Sequence, residues 1–207
     1  RDENFEVIVW QNDGTPFSGL WAQNIVGTSA DQVWSVAVAD FDKDTYMDIV
    51  SGSAPTGEDY EVIVWQNDGS PFSGLWTQND VGTSSDVVYS LAVAEFNQDG
   101  YMDIVSGSYS TEDYEVIVWL NDKTPFSGNL WTQNDIGAST DSVWSVAVAD
   151  FNNDGDMDIV SGSGSGEDYE IIVWQNDIPE FPAIAIPIIF CVIPFVVFRA
   201  KRRPRHE

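Results

Sequence analysis

The chain has 207 residues, with 34 Asp and Glu against 8 Lys and Arg and a net charge of −26 at neutral pH. So acidic a surface repels a phosphate backbone, which excludes nucleic acid as a partner and makes metal cations natural ones. The only histidine is His206 and the only cysteine is Cys191, which removes most histidine-based catalysis, histidine-rich metal sites and an internal disulfide framework.

An internal repeat organises the chain. Trp10, Trp65, Trp119 and Trp174 close four copies of one phrase, about 55 residues apart. Residues 5–27 hold two strand-like runs, the last two of a repeat. Residues 33–82 hold four: Val33–Ala39, Asp48–Ser53, Glu61–Gln66 and Leu75–Asn79. Residues 88–137 repeat them, and residues 143–177 hold three. Short apolar runs alternate with Gly, Pro, Asn and Asp turns, and nothing has a helical period. In the first run Val33, Ser35, Ala37 and Ala39 form a small face, and Trp34, Val36 and Val38 a large one. Small residues suit a strand crowded near a central axis. Glu61–Trp65 is apolar on both faces, as a sheet between two like sheets requires.

The expected fold is therefore all-β: β-propeller-type four-stranded repeats, about 3.5 blades over residues 1–177, with a partial blade 5–27, blades 33–82 and 88–137, and a partial blade 143–177. An open β-solenoid or a row of small β-domains is the alternative. Residue 1 is Arg and the phase starts in mid-blade, so further blades are expected before it. Closure of a four-bladed ring by residues 20–26 is the other reading, in which 5–11 would be surplus.

Between the first and second runs of each repeat lies an acidic loop. Its side chains offer oxygen at positions 1, 3, 5 and 9: Asp40, Asp42, Asp44 and Asp48; Glu95, Asn97, Asp99 and Asp103; Asp150, Asn152, Asp154 and Asp158. Position 7, Tyr46, Tyr101 or Asp156, would add a backbone carbonyl. Gly100 and Gly155 stand at position 6, where a sharp turn needs them, and Thr45 breaks that rule. Alternate oxygens around a tight turn suit a hard cation, and crowded carboxylates repel until a dication relieves them. About three Ca2+ sites are expected on this ligand pattern. Met47, Met102 and Met157, beside the last ligand, read as core filler.

Val-Ala-Val-Ala-Asp-Phe, the acidic loop, Asp-Ile-Val-Ser-Gly-Ser and Val-Ile-Val-Trp-Gln-Asn-Asp-Gly resemble the FG-GAP/VCBS-type repeats, which form calcium-binding propellers including the integrin α-subunit head. The resemblance covers about residues 5–177. It implies calcium in the loop joining the first two strands of a blade, and ligand binding on a propeller face.

A second acidic phrase recurs as Glu58–Glu61, Glu112–Glu115 and Glu167–Glu170, and reads as a loop that keeps strand edges soluble. Trp21, Trp76 and Trp131 recur in the outermost run. Packing between blades is their ordinary use, and stacking on sugar rings the functional one.

After Trp174 the composition changes. Residues 178–182 form a linker, and the uncharged run Phe181–Phe198 follows. Residues 183–198 are expected as a transmembrane helix; the whole run would span about 27 Å as a helix. Arg199, Lys201, Arg202, Arg203 and Arg205 place 199–207 on the cytoplasmic side. Pro179-Glu180-Phe181-Pro182, an apolar span and a basic end resemble archaeal PEF-type sorting signals, which implies cleavage of the tail by a sortase-like protease. No catalytic constellation or phosphate loop is present. The expectation is a non-enzymatic, membrane-anchored, calcium-binding propeller at the cell surface that binds an extracellular protein or glycan. A structural, calcium-dependent envelope component and the non-catalytic part of a larger surface hydrolase or lyase are the alternatives.

Overall fold

Runs of β-branched residues bounded by Gly, Asn and Asp fold here as short antiparallel strands. The computed structural model describes residues 5–12, 14, 21–29, 32–54, 62–82, 87–109, 115–137, 141–165, 168–177 and 196–199. β1 (Phe5–Gln11) and β2 (Ala22–Ser29) form a two-stranded sheet. Three four-stranded sheets follow, each a meander in sequence order. They are β3 (Val33–Ala39), β4 (Asp48–Ser53), β5 (Val62–Gln66) and β6 (Thr77–Gly82); β7 (Val88–Ala94), β8 (Asp103–Ser108), β9 (Val116–Leu120) and β10 (Thr132–Gly137); and β11 (Val143–Ala149), β12 (Asp158–Ser165), β13 (Asp168–Gln175) and β14 (Val196–Arg199). The described residues are all-β, and their sheets form a row rather than a closed ring.

Core residues lie between successive sheets. Val7, Val26, Ile49 and Trp65 join the first pair. Val64, Val81, Val88, Leu91 and Trp119 lie in the core of the next pair, and Val116, Ile136, Val146 and Trp174 in that of the last. In the four-stranded sheets each third-strand tryptophan is buried and donates its indole N–H to a second-strand serine: Trp65 to Ser51, Trp119 to Ser106 and Trp174 to Ser161, at 2.9–3.0 Å. The ring needs a glycine on the preceding sheet. A Cβ on Gly27, Gly82 or Gly137 would collide with Trp65, Trp119 or Trp174. Losing one such ring should cost about 3–5 kcal/mol.

Every first strand carries a bulge between its first and third residues, at Val33/Ser35, Val88/Ser90 and Val143/Ser145. A bulge takes a residue out of the ladder and re-aims its neighbours. Ser35 and Ser90 accordingly reach the next sheet, accepting from the N–H of Leu91 and Val146 at 3.0 and 3.1 Å.

Several expectations are corrected. The fourth strand begins at Thr77 rather than Leu75, because Leu75 stays exposed at the turn and the strand runs on to Gly82, the seat of Trp119. Met47 and Met157 are exposed, whereas Met102 packs against the core; only the sheet of Met102 is flanked by a four-stranded sheet on both sides. Within the apolar run expected as a helix, residues 196–198 are extended. β14 pairs with β13, Ile172 opposite Arg199 and Gln175 opposite Val196, in the place of β6 and β10, where Val-Val-Phe satisfies a free strand edge. The linker 178–182, most of the helix 183–198 and the basic end 200–207 lie outside the described residues. Among the described residues no helix is long and apolar enough to cross a membrane.

Candidate metal centre

The three acidic loops share one backbone path. At position 4, Lys43, Gln98 and Asn153 have φ of 64°, 58° and 61°. At position 6, Thr45, Gly100 and Gly155 have φ of 79°, 82° and 95°. Thr45 thus holds the left-handed geometry that glycine holds in the other two, at a steric cost of about 1–2 kcal/mol.

The last carboxylate of each loop is its anchor. Asp48, Asp103 and Asp158 open the second strand and are buried. Each accepts two backbone N–H bonds. Asp48 takes them from Phe41 and Asn67 at 3.1 and 2.9 Å. Asp103 takes them from Phe96 and Asn121, and Asp158 from Phe151 and Asn176, at 2.8–3.0 Å. The loop's start and the end of the third strand are thereby pinned to one side chain.

Earlier positions form the rim. In the first loop Asp40 accepts from the N–H of Asp44 and Thr45, and Asp42 accepts from that of Asp44. Asp44, exposed, accepts from Tyr46 N–H at 2.8 Å. In the second, half-buried Glu95 and Asn97 accept from Asp99 N–H, and Asp99 accepts from Tyr101 N–H. In the third, Asp150 accepts from Asp154 and Gly155, Asn152 from Asp154, and Asp154 from Asp156. Side-chain amides hold further oxygens: Gln66 donates to Asp42 at 2.8 Å and Asn152 to Asp154 at 2.6 Å.

One carboxylate oxygen each from Asp40, Asp42 and Asp48 lie within 4.8 Å of one another. The third position of the other loops is Asn97 or Asn152, so an amide oxygen stands where Asp42 brings charge. Burial pushes the Asp48 carboxyl from 3.8 up to about 7; the N–H of Asn67 and Phe41 pull it back, and Asp42 and Asp44 push it further up. Burial likewise raises Asp103 to about 6, against the pull of Asn121 and Phe96 and with the push of Asp99 and Glu95. Buried carboxylates beside like charges are held ionised at lower cost by a cation. The donor set is all oxygen, which suits a hard cation such as Ca2+, Mg2+ or Mn2+ rather than zinc or copper.

Neighbouring loops are tied together. Asn121 donates its side-chain N–H to the Phe41 carbonyl at 2.9 Å, and Asn176 does the same to Phe96 at 3.0 Å. Gln98 donates to Asp156 at 2.7 Å, which accounts for that side chain's burial at position 7. Lys43 lies over the Tyr101 ring at 3.6 Å, and Lys123 reaches Asp99 at 3.6 Å. The asparagines were legible only as turn formers. Their recurrence at one phase, after Trp-Gln or Trp-Leu, was the signal for their bridging role.

Outside the loops, Trp131 is buried edge-on against Phe41, at 5.6 Å and 76° between centroids and planes. Trp76 packs on the first core and Trp21 is exposed. Residues 58–61, 112–114 and 167 of the second acidic phrase lie outside the described residues. Glu115 is buried, and Tyr169 is exposed.

No curated protein matches the chain. The family model for the FG-GAP-like repeat matches residues 1–51 and 96–161, more than half of it. Repeated four-stranded sheets with an acidic first loop and this match together assign the chain to the FG-GAP-like repeat family.

Proposed function

We propose that this chain is a calcium-braced, propeller-type module of the cell surface, and that it is a binding protein rather than an enzyme. The observation that carries the reading is the meeting of Asp40, Asp42 and Asp48 within 4.8 Å, with Asp48 buried. Ca2+ there would be held by these carboxylates, Asp44 and the Tyr46 carbonyl. Glu95, Asn97, Asp99, Asp103 and the Tyr101 carbonyl would serve in the second loop. Asp150, Asn152, Asp154, Asp158 and the Asp156 carbonyl would serve in the third. The ion supplies charge neutralisation and cross-linking. The chain supplies a fixed loop edge, because Asn121 and Asn176 carry the position of one loop to the next.

A rigid edge of loops suits capture of an extracellular protein or glycan. The apolar run and basic end support attachment to a membrane, with the repeats outside and the C-terminus cytoplasmic, in an arrangement in which residues 196–199 leave the edge of β13. The test is a melting curve of the full chain in mild detergent, with Ca2+ and with chelator, followed by a glycan and protein capture screen in both. The reading expects a higher melting temperature and capture only in Ca2+. Equal melting and equal capture in both would sink it.

A further inference from the structure

The buried anchors of the three acidic loops are joined by one run of hydrogen bonds. Asp48 accepts the N–H of Phe41, and the carbonyl of Phe41 accepts the side-chain N–H of Asn121. The backbone N–H of Asn121 goes to Asp103, which also accepts from Phe96. The Phe96 carbonyl accepts from the side chain of Asn176, whose backbone N–H goes to Asp158. The run lies wholly within residues 41–176, and its bonds are 2.8–3.1 Å long.

The two asparagines each serve two loops. Asn121 also donates to the Met102 carbonyl at 3.2 Å, so one residue holds positions 8 and 9 of the second loop and position 2 of the first. Asn121 is 2% exposed and Asn176 5%, so water cannot stand in for their partners. Asn67, at the same phase one sheet earlier, holds its own first loop through Asp48 and the Met47 carbonyl. Looser links run the same way along the rim. Lys43 of the first loop lies over Tyr101 of the second at 3.6 Å, and Gln98 of the second donates to Asp156 of the third at 2.7 Å. Both reach from exposed residues, where water competes.

We propose that Asn121 and Asn176 couple the loops, so that an ion held by the first tightens the second, and one held by the second tightens the third. The inference rests on the calcium reading above and concerns how the sites act on one another. Phe41 stands between Asp40 and Asp42, and Phe96 between Glu95 and Asn97. In an empty loop the crowded carboxylates push these neighbours apart; a cation draws them together and fixes the residue between them. A fixed Phe41 carbonyl holds the Asn121 side chain, and a held Asn121 presents its N–H to Asp103. Two neighbouring ions thus favour the same arrangement of one asparagine, which is ordered once for both. The first loop has carboxylates at positions 1, 3, 5 and 9, whereas the others have Asn97 or Asn152 at position 3, so the first fills first.

The test is a Ca2+ titration of the full chain, labelled with 15N-glycine, in mild detergent. The amide resonances of Gly100 and Gly155 report the second and third loops separately. Asp40→Ala, which alters only the first loop, is expected to move the Gly100 midpoint to about fivefold higher Ca2+ or more. In an Asn121→Ala background the same change should move it less than about twofold. In an Asn67→Ala background the full shift should remain. Charge alone acts in the opposite direction, because an Asp40→Ala loop without its ion is more negative than the filled wild-type loop and would draw Ca2+ to the second. Glu95→Ala with and without Asn176→Ala, read at Gly155, repeats the test one loop on should Asn121→Ala fail to fold. A Gly100 midpoint that is unchanged or lowered by Asp40→Ala would overturn the inference, and so would an equal shift with and without Asn121. Wild-type resonances that never respond to Ca2+ would remove the calcium reading itself, a different failure from loops that respond without coupling.

Discussion

The loops 40–48 and 95–103 are the same structure with different chemistry. Both turn through left-handed residues at positions 4 and 6, and both hang on a buried aspartate that accepts two backbone N–H bonds. The first puts carboxylates at positions 1, 3, 5 and 9. The second replaces the third-position carboxylate with Asn97, and Lys123 stands 3.6 Å from Asp99. Even Lys43, a member of the first loop, leans over Tyr101 of the second. The frame is thus set by the ninth position, and the local charge by positions 1, 3 and 5 and by the nearby lysines. The two can be altered separately.

The largest effect should come from pH. Asp48 has a folded-state value near 7 and Asp103 one near 6, both above the ordinary 3.8. Between the unfolded and folded values the folded chain holds a proton that the unfolded chain has lost. In chelator, stability should therefore be highest below pH 4 as far as these two groups decide it. It should fall as pH rises through about 6 for Asp103 and about 7 for Asp48, by roughly 3 and 4 kcal/mol. On the proposed reading Ca2+ would hold both carboxylates ionised and flatten the fall. Urea unfolding across pH 4–8 with and without Ca2+ measures it; the same profile in both would break the link between burial and metal.

Exchanging charge at the third position should come next. Asp42→Asn is expected to weaken calcium at the first loop by about tenfold to a hundredfold, and Asn97→Asp to strengthen the second by a similar factor. Calorimetric titration of each variant reads this directly. Unchanged affinities would mean that the loops differ for another reason.

Thr45→Gly should relieve the left-handed strain and raise stability by about 1 kcal/mol, and Gly100→Ala should lower it by a like amount. Chemical denaturation in chelator separates these from metal effects. Lys123→Ala should be smallest. Its ion pair is largely solvent-exposed on the lysine side, so calcium at the second loop should tighten only about threefold, with the first loop unchanged. A change at both loops would show that the lysine acts through the frame.

The strand runs and the loops were legible in the sequence because both repeat at a fixed phase. Val33–Ala39 and Asp48–Ser53 appear where the alternation and turn residues put them. The anchoring role of Asp48 was not legible. Its partners are backbone N–H groups of Phe41 and Asn67, and backbone groups carry no sequence signature. Met47 and Met102 occupy one phase yet differ in burial, because neighbouring sheets decide burial and a single repeat does not encode its neighbours. The run ending in Val196–Phe198 satisfies a helix by hydropathy and a strand by β-branching; the free edge of β13 selects the strand for its last residues.

The central claim, that a cation completes these loops, is tested most directly by titrating the full chain with Ca2+ in mild detergent, beside the Asp40→Ala variant. The account predicts binding at about three sites for the wild type, one fewer for the variant, and proton release near pH 7 as the buried carboxylates ionise. No binding heat at any concentration, or the same stoichiometry in both proteins, would contradict it and leave the loops as acidic turns held by their own backbone.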